Sequence, residues 1–172
     1  MMKIFLKSFQ KGVVTRKLPP FKVSAEYEAL GGELKKLIKE RFGRSFHIRE
    51  VDTGSCGACE SEIIAMSNPI YDMQRFGVDV AASPRHADAL LVTGTVSKNM
   101  ELALKRTYDA MPAPKLVITC GDCALDGGPF KGAHYICGGV SKVIPVNAHI
   151  EGCPPKPEAV INAVLSLLRD IK

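Results

Sequence analysis

The sequence predicts an α/β fold, an open and mostly parallel sheet flanked by helices, and three observations carry that reading. Short apolar runs such as Ala89-Leu90-Leu91-Val92-Thr93 and Lys115-Leu116-Val117-Ile118-Thr119-Cys120 are continuous rather than alternating, as in strands covered on both faces. Segments of helical periodicity separate them, so strands and helices take turns along the chain. Strand-like runs give way to Gly-bearing loops, and in a parallel sheet such loops converge on the edge where ligands sit.

The elements follow in order. Pro19-Pro20 separates an N-terminal arm from Ala25 to Phe42, where Leu30, Leu34, Leu37, Ile38 and Phe42 recur at helical spacing despite Gly31-Gly32. Phe46 to Val51 alternates as a strand and runs into the first cysteine loop. Glu60 to Met66 reads as a helix that stops at Asn68-Pro69. Val78 to Ala81 is the next strand, Ala89 to Thr93 another, and Lys98 to Met111 has helical periodicity. Lys115 to Cys120 repeats the strand pattern and ends at Gly121, and Val143-Ile144-Pro145-Val146 reads as a late short strand. Pro157 to Ile171 closes the chain as a helix, with Pro157 suited to its first turn. The sum is one flavodoxin-like domain over residues 46–172, preceded by a basic arm and amphipathic helix over residues 1–45.

At 172 residues the chain buries a core without staples. No run approaches the roughly 20 apolar residues of a membrane span, and the start lacks the h-region and cleavage site of a secretory signal, so a cytoplasmic placement is expected. In that reducing compartment six cysteines favour metal or redox use over disulfides. Charge is uneven: residues 1–50 carry twelve Lys and Arg against five Glu, whereas residues 51–172 carry eleven against thirteen acids. A basic arm can seek nucleic acid, an anionic membrane surface or an acidic partner. No basic–aromatic alternation supports nucleic acid. Met1 to Phe9 mixes apolar and lysine side chains, which suits lipid headgroups or a neighbouring subunit's groove, or else a solvated terminus.

Cys56 and Cys59 in Gly54-Ser55-Cys56-Gly57-Ala58-Cys59, Cys123 after Gly121-Asp122, and Cys153 in Gly152-Cys153-Pro154-Pro155 occupy three Gly-rich loops. A buried iron–sulfur cluster needs such a set: thiolates ligate iron, and glycines let the backbone crowd an inorganic core. The chain then reads as an electron carrier. Three other readings compete. Zinc held by Cys56/Cys59 and Cys120/Cys123 would need a far wider gap than zinc ribbons keep, and leaves Gly152-Cys153-Pro154 unexplained. A stand-alone Cys-x-x-Cys dithiol enzyme would put Glu60 and Glu62 where its thiolate must form. A cluster kept only for folding is the third. Cys120 and Cys137 read as small buried hydrophobes, with Cys120 a substitute ligand.

Four motifs in order carry a resemblance: Gly54-Ser55-Cys56-x-x-Cys59 with Glu62; Ser83-Pro84-Arg85-His86-Ala87-Asp88 leading into Leu90 to Gly94; Gly121-x-Cys123 with Gly127-Gly128; and Ile144-Pro145-Val146 before Gly152-Cys153-Pro154-Pro155-x-Pro157. Over about residues 46–171 they resemble the small electron-transfer subunit of membrane-bound, energy-converting [NiFe] hydrogenases, and its homologue, the cluster-bearing 20 kDa-type subunit of respiratory complex I. The complex I subunit has two adjacent cysteines where this chain has Cys56-x-x-Cys59, the hydrogenase pattern. Gly94 to Met100 and Tyr108 to Lys115 look more like complex I, which keeps a quinone oxidoreductase as the alternative.

The resemblance implies that Cys56, Cys59, Cys123 and Cys153 ligate one [4Fe-4S] cluster. It further implies partners: a [NiFe] large subunit, a ferredoxin-like iron–sulfur subunit and integral membrane subunits, with the chain peripheral on the cytoplasmic side and proton reduction or hydrogen oxidation coupled to ion translocation. The chain has no second cysteine set after Cys153 and no catalytic metal of its own. Arg85 and His86 are expected beside the cluster as cations favouring its reduced form, unless Arg85 only bridges Asp88 and His86 is a structural turn residue. Glu62 is expected at a helix start beside the cluster, as a proton-path residue or as ordinary charge complementarity to the helix dipole.

Overall fold

The computed structural model describes residues 24–170, together with Lys7 and residues 9–11; the arm reading of Met1 to Phe9 falls almost wholly outside them. Five strands, β1 (Phe46–Asp52), β2 (Val78–Val80), β3 (Ala89–Thr93), β4 (Leu116–Cys120) and β5 (Ala148–Ile150), form one sheet in the order β2-β1-β3-β4-β5. Every pairing is parallel. This is the flavodoxin-like order, with α1 (Ala25–Phe42), α2 (Ala58–Ala65), α3 (Lys98–Asp109), α4 (Asp122–Asp126) and α5 (Pro157–Asp170) connecting or flanking the strands.

Alternation sorts the strand side chains into two cores. On one face Phe46, Ile48, Leu91 and Ile118 meet Tyr27, Leu34 and Ile38 of α1 and Val160, Ile161, Val164 and Leu168 of α5. On the other, Val51, Leu90, Val92 and Val117 meet Leu104 of α3, Met111, Val140 and Ile144. β3 and β4 are buried along their whole length, which is why their sequence is apolar without alternation.

The helix foreseen for residues 25–42 forms in full. Ser24 Oγ accepts from the Tyr27 N–H at 3.1 Å, and Gly43 closes the other end in the left-handed conformation. Its two glycines have different explanations. A Cβ on Gly31 would run into the Phe76 ring, whereas one on Gly32 would meet nothing. The smooth face of Gly31 brings α1 down onto Phe76, and full burial of Leu34 there contributes about 1.5–3 kcal/mol.

One strand is displaced from its expected place. Residues 143–146 form no strand; they follow a 3-10 turn at Val140–Lys142, and the fifth strand is Ala148–Ile150. The apolar character of Val143 to Val146 serves packing: Ile144 is buried in the second core, with Val143 and Val146 against it. Pairing with β4 begins only after Pro145, which has no N–H to give.

Candidate metal centre

Two locks build the site at the carboxyl edge of the sheet. Thr53 ties the loop after β1 to the loop after β3: its N–H and Oγ–H donate to the Thr93 carbonyl at 3.0 and 2.5 Å, and its Oγ accepts from the Val96 N–H at 3.1 Å. Asp52 Oδ1 accepts from the Gly54 and Ser55 N–H groups, both at 2.8 Å, and so shapes the start of the Cys56 loop. The second lock joins the loops after β4 and β5. Gly121 N–H donates to the Ile150 carbonyl at 2.9 Å, Asp122 N–H to the Gly152 carbonyl at 3.0 Å, and Gly152 N–H returns to Asp122 Oδ1 at 2.8 Å. Cys56, Cys59, Cys123 and Cys153, spread over 98 positions of sequence, thereby line one pocket, together with Gly94, Thr95 and Phe130.

The backbone around these thiols has no room for side chains. Gly121 has φ 86°, and a Cβ there would lie 2.6 Å from Cys59 Sγ; a Cβ on Gly128 would lie 2.9 Å from Cys123 Sγ. Gly94, with φ 82°, would bring a Cβ to 2.8 Å from the Ser55 nitrogen. Among the described residues no three Cys, His, Asp or Glu side chains converge on a position for a single metal ion. The four thiols are arranged as walls of a pocket. The donor set, soft thiolates backed by glycine, fits an iron–sulfur cluster.

The pocket is less enclosed than the sequence reading expected. Cys56 and Cys153 are exposed, and Cys59 and Cys123 are half-buried. Phe130 on the rim is 53% exposed, and Ile64 on the neighbouring α2 is 72% exposed. The wall formed by this chain is open to a neighbour.

Electrostatics at the site oppose free thiolates at Cys59 and Cys123. Burial, the Glu60 carboxylate and the other three thiols push Cys59 up to about 11. Burial with Cys153 and Cys56 raises Cys123 in the same sense. Cys59 is therefore a poor attacking thiolate at neutral pH, and iron would have to displace its proton. Cys120 is fully buried behind Cys59, hydrogen-bonded to it, and is not part of the pocket wall. Cys137 departs from the buried-hydrophobe reading: it is half-exposed, and its Sγ donates to Glu101 Oε2 at 3.6 Å.

Two of the three expected helpers are not where the sequence placed them. α2 begins at Ala58, inside the Cys-x-x-Cys motif, so Glu60 occupies the first turn, and Glu62 follows Cys59 on the same helix face without lining the pocket. Arg85 and His86 stand on the 3-10 turn Pro84–His86 that enters β3, at the opposite edge of the sheet. Five residues of strand, roughly 16 Å, separate that edge from the cysteines. Asp88 pairs with Arg44 rather than Arg85.

The structure also adds residues. Glu50 shares the core-facing parity of Phe46 and Ile48, and its Oε1 is buried without a hydrogen-bond partner, as are both carboxylate oxygens of Glu60. Burial and the nearby Glu60 raise the Glu50 carboxyl above its ordinary range. The signal was an acid in the apolar register of a strand. Asp52, Thr53 and Asp122 were invisible because their partners lie 2 to 43 positions away through backbone atoms.

Fold and pocket together define a class: α/β proteins of flavodoxin-like strand order that collect cysteines at the carboxyl edge of a parallel sheet. Residues 56–167 match the family described as NADH ubiquinone oxidoreductase, 20 Kd subunit, and the chain belongs to that family. It is 46% identical over 121 residues to a subunit of the NADH-quinone oxidoreductase of Bacteroides thetaiotaomicron, covering 70% of this chain and 61% of that one. It is 42% identical over 129 residues to a probable membrane-bound hydrogenase subunit of Pyrococcus furiosus, covering 75% of this chain and 77% of the relative. Among solved structures, a chain of the membrane-bound sulfane sulfur reductase, an archaeal respiratory membrane complex, aligns with TM-score 0.65 and 31% identity over 78% of this chain and 72% of that one. The chain is thus a 20 kDa-type subunit of the oxidoreductase family that spans complex I and membrane-bound hydrogenases, as its motifs led one to expect. Among the described residues no helix is long and apolar enough to cross a membrane.

Proposed function

We propose that Cys56, Cys59, Cys123 and Cys153 hold one [4Fe-4S] cluster, and that this chain passes electrons between a ferredoxin-like subunit and the [NiFe] site of a partner large subunit in a membrane-bound hydrogenase. The observation that carries the proposal is the pocket itself: four cysteines from three separate loops line one cavity, with glycines wherever a side chain would meet a sulfur or the loop backbone. Bound there, a cluster supplies one-electron transfer at a potential set by its charge, hydrogen bonds and exposure. The chain's own part is to present the thiolates, to keep the walls rigid through Thr53 and Asp122, and to leave the Cys56 and Cys153 side open to the partner. Exposed Phe130 and Ile64 supply apolar contact for that partner, whose docking would exclude water from the pocket.

The Cys56-x-x-Cys59 spacing favours the hydrogenase assignment. The higher identity to a quinone oxidoreductase subunit favours the second reading, a complex I-like role with the same cluster. Peripheral attachment on the cytoplasmic side of the membrane belongs to both.

Anaerobic purification of the chain with its complex tests the cluster. Broad brown absorption that bleaches on reduction, with about four iron and four sulfide atoms per chain, is the expected result. Serine at any one of the four positions should abolish or convert the signal, and Cys137→Ser should leave it. A colourless protein with a titratable Cys56–Cys59 disulfide would establish the dithiol enzyme instead. Two Cys-x-x-Cys pairs in the large subunit would decide for hydrogenase, and their absence for the quinone-type reading.

A further inference from the structure

Arg85 and His86 have no work at the cysteine pocket, and their surroundings supply another. Both are exposed, and neither side chain has a hydrogen-bond or ion-pair partner among the described residues. The carboxylate beside them is already committed: Arg44 donates to Asp88 twice, at 2.7 and 2.8 Å, and the His47 N–H donates to it at 2.8 Å. Charge on this edge is therefore left in excess on the positive side. The cations border a cleft of about 300 Å³ lined by Arg44, His47, Arg85, His86 and Pro112. Ala87, Asp88 and Pro112 are shared with an adjoining, mostly apolar hollow of about 330 Å³, whose remaining wall is Arg41, Phe42, Ala113, Pro114 and Leu116.

A cationic cleft continuous with an apolar hollow fits an occupant that has an anionic group and an apolar group side by side. The shape selects the kind. A protein that binds a lipid surface inserts protruding apolar side chains beneath its basic residues. Here the apolar residues form a depression, which receives a side chain and cannot insert one. The planar guanidinium of Arg85 takes a carboxylate in two parallel hydrogen bonds, as it would a phosphate, so the depression beside it rather than the charge selects a peptide acid. A hollow of this size, at the small end for ligand pockets, holds roughly one or two apolar side chains.

We propose that this amino edge of the sheet is a docking face for an acidic, apolar segment of a partner protein, with a carboxylate on Arg85 and His86 and a neighbouring apolar side chain in the Phe42–Pro114 hollow. It lies at the opposite end of β3 from the cysteines, so the chain can engage two partners at once, one at each edge of its sheet.

A photoreactive residue placed as His86→p-benzoylphenylalanine in the intact complex tests this. Mass spectrometry of the linked product should identify a segment of another polypeptide in which an aspartate or glutamate neighbours an apolar residue. Arg85→Glu, combined with the photoreactive residue, should cut the yield about tenfold or more, Arg85→Lys, which keeps the charge but loses the two-bond fork, should fall between the parent and Arg85→Glu, and lysine in place of the linked acid should restore the yield with Arg85→Glu. Links to lipid, links to a segment without an acid, absence of any link, or a yield that ignores charge reversal would each overturn the proposal. Iron per chain and the unfolding midpoint of Arg85→Glu should match the parent, which keeps this result separate from that for the cysteine pocket.

Discussion

Asp122 and Gly152 hold each other in both directions: the Asp122 N–H donates to the Gly152 carbonyl at 3.0 Å, and the Gly152 N–H donates to Asp122 Oδ1 at 2.8 Å. Each residue directly precedes a cysteine, so one reciprocal contact sets Cys123 against Cys153. Asp122→Asn retains the acceptor and should keep both loops in place. Asp122→Ala gives up this contact, and because it is solvent-exposed, water can replace the carboxylate, so the cost is about 0.5–1.5 kcal/mol, or roughly 1–6 °C in unfolding midpoint for a domain of this size. Thermal unfolding of the two variants, with iron measured per chain, checks the difference. Equal behaviour of the Ala and Asn variants would remove this contact from the account.

Gly121→Ala should be more damaging to the pocket than to the fold. The residue sits at φ 86°, where a Cβ is strained, and that Cβ would press on Cys59 Sγ from 2.6 Å. Sulfur must move, and the expected outcome is a folded chain with little or no bound iron. Circular dichroism and iron analysis of the same preparation measure the two separately.

Gly31→Ala poses the opposite question. Helix propensity alone would favour alanine by about 1 kcal/mol. Contact with the buried Phe76 ring outweighs this, because overpacking costs about 1–3 kcal/mol, so the net change should be destabilising. Gly32→Ala, with nothing nearby, should stabilise. Denaturant midpoints for the pair give the sign of each.

The metal-free protein should lose stability in alkali. The folded Cys59 thiol is held near 11, against about 8.5 for an unfolded thiol, so between these values the folded chain retains a proton that the unfolded chain has released. Stability must then fall as pH rises through that window and be insensitive to this group below it. Cys59→Ser should reduce the slope by up to about 1.4 kcal/mol per pH unit. Chemical unfolding of the apoprotein under reducing conditions from pH 7 to about pH 11 measures it.

Glu50 should show the same sense at lower pH. Its carboxyl is raised by burial and by Glu60, so the folded chain holds the proton more firmly than the unfolded one, and stability falls as pH climbs from the unfolded value, about 4.3, through the folded one. Glu50→Gln removes the buried charge and should raise the unfolding temperature at neutral pH, unless a bound partner supplies the missing hydrogen bond to Oε1.

Much of the fold was legible because periodicity is local. The continuous apolar runs of β3 and β4, the Leu34 and Ile38 spacing of α1 and Pro157 at the start of α5 each state their own burial. The misplaced strand marks the limit: by composition Val143 to Val146 is the more strand-like run, yet it is Ala148 to Ile150 that pairs with β4. The cysteines were legible as a set because the chemistry of thiolates among glycines is carried by residue type. The positions of Arg85 and His86 were not. They were expected beside the cluster as cations, but the strand that follows them runs from one edge of the sheet to the other and leaves them on the far side from the sulfurs.

By itself the sequence determined which atoms are available: four thiols in Gly-rich loops, apolar strands in alternation with helices, and a Cys-x-x-Cys spacing that points toward one relative more than another. Tertiary structure alone decided which edge of the sheet each charged residue occupies, and so which meets the cysteines and which faces away. The physical reason is that a parallel strand carries its two ends to opposite sides of the molecule, and the hydrogen bonds that bind one loop to the next join residues whose separation along the chain holds no trace of the contact.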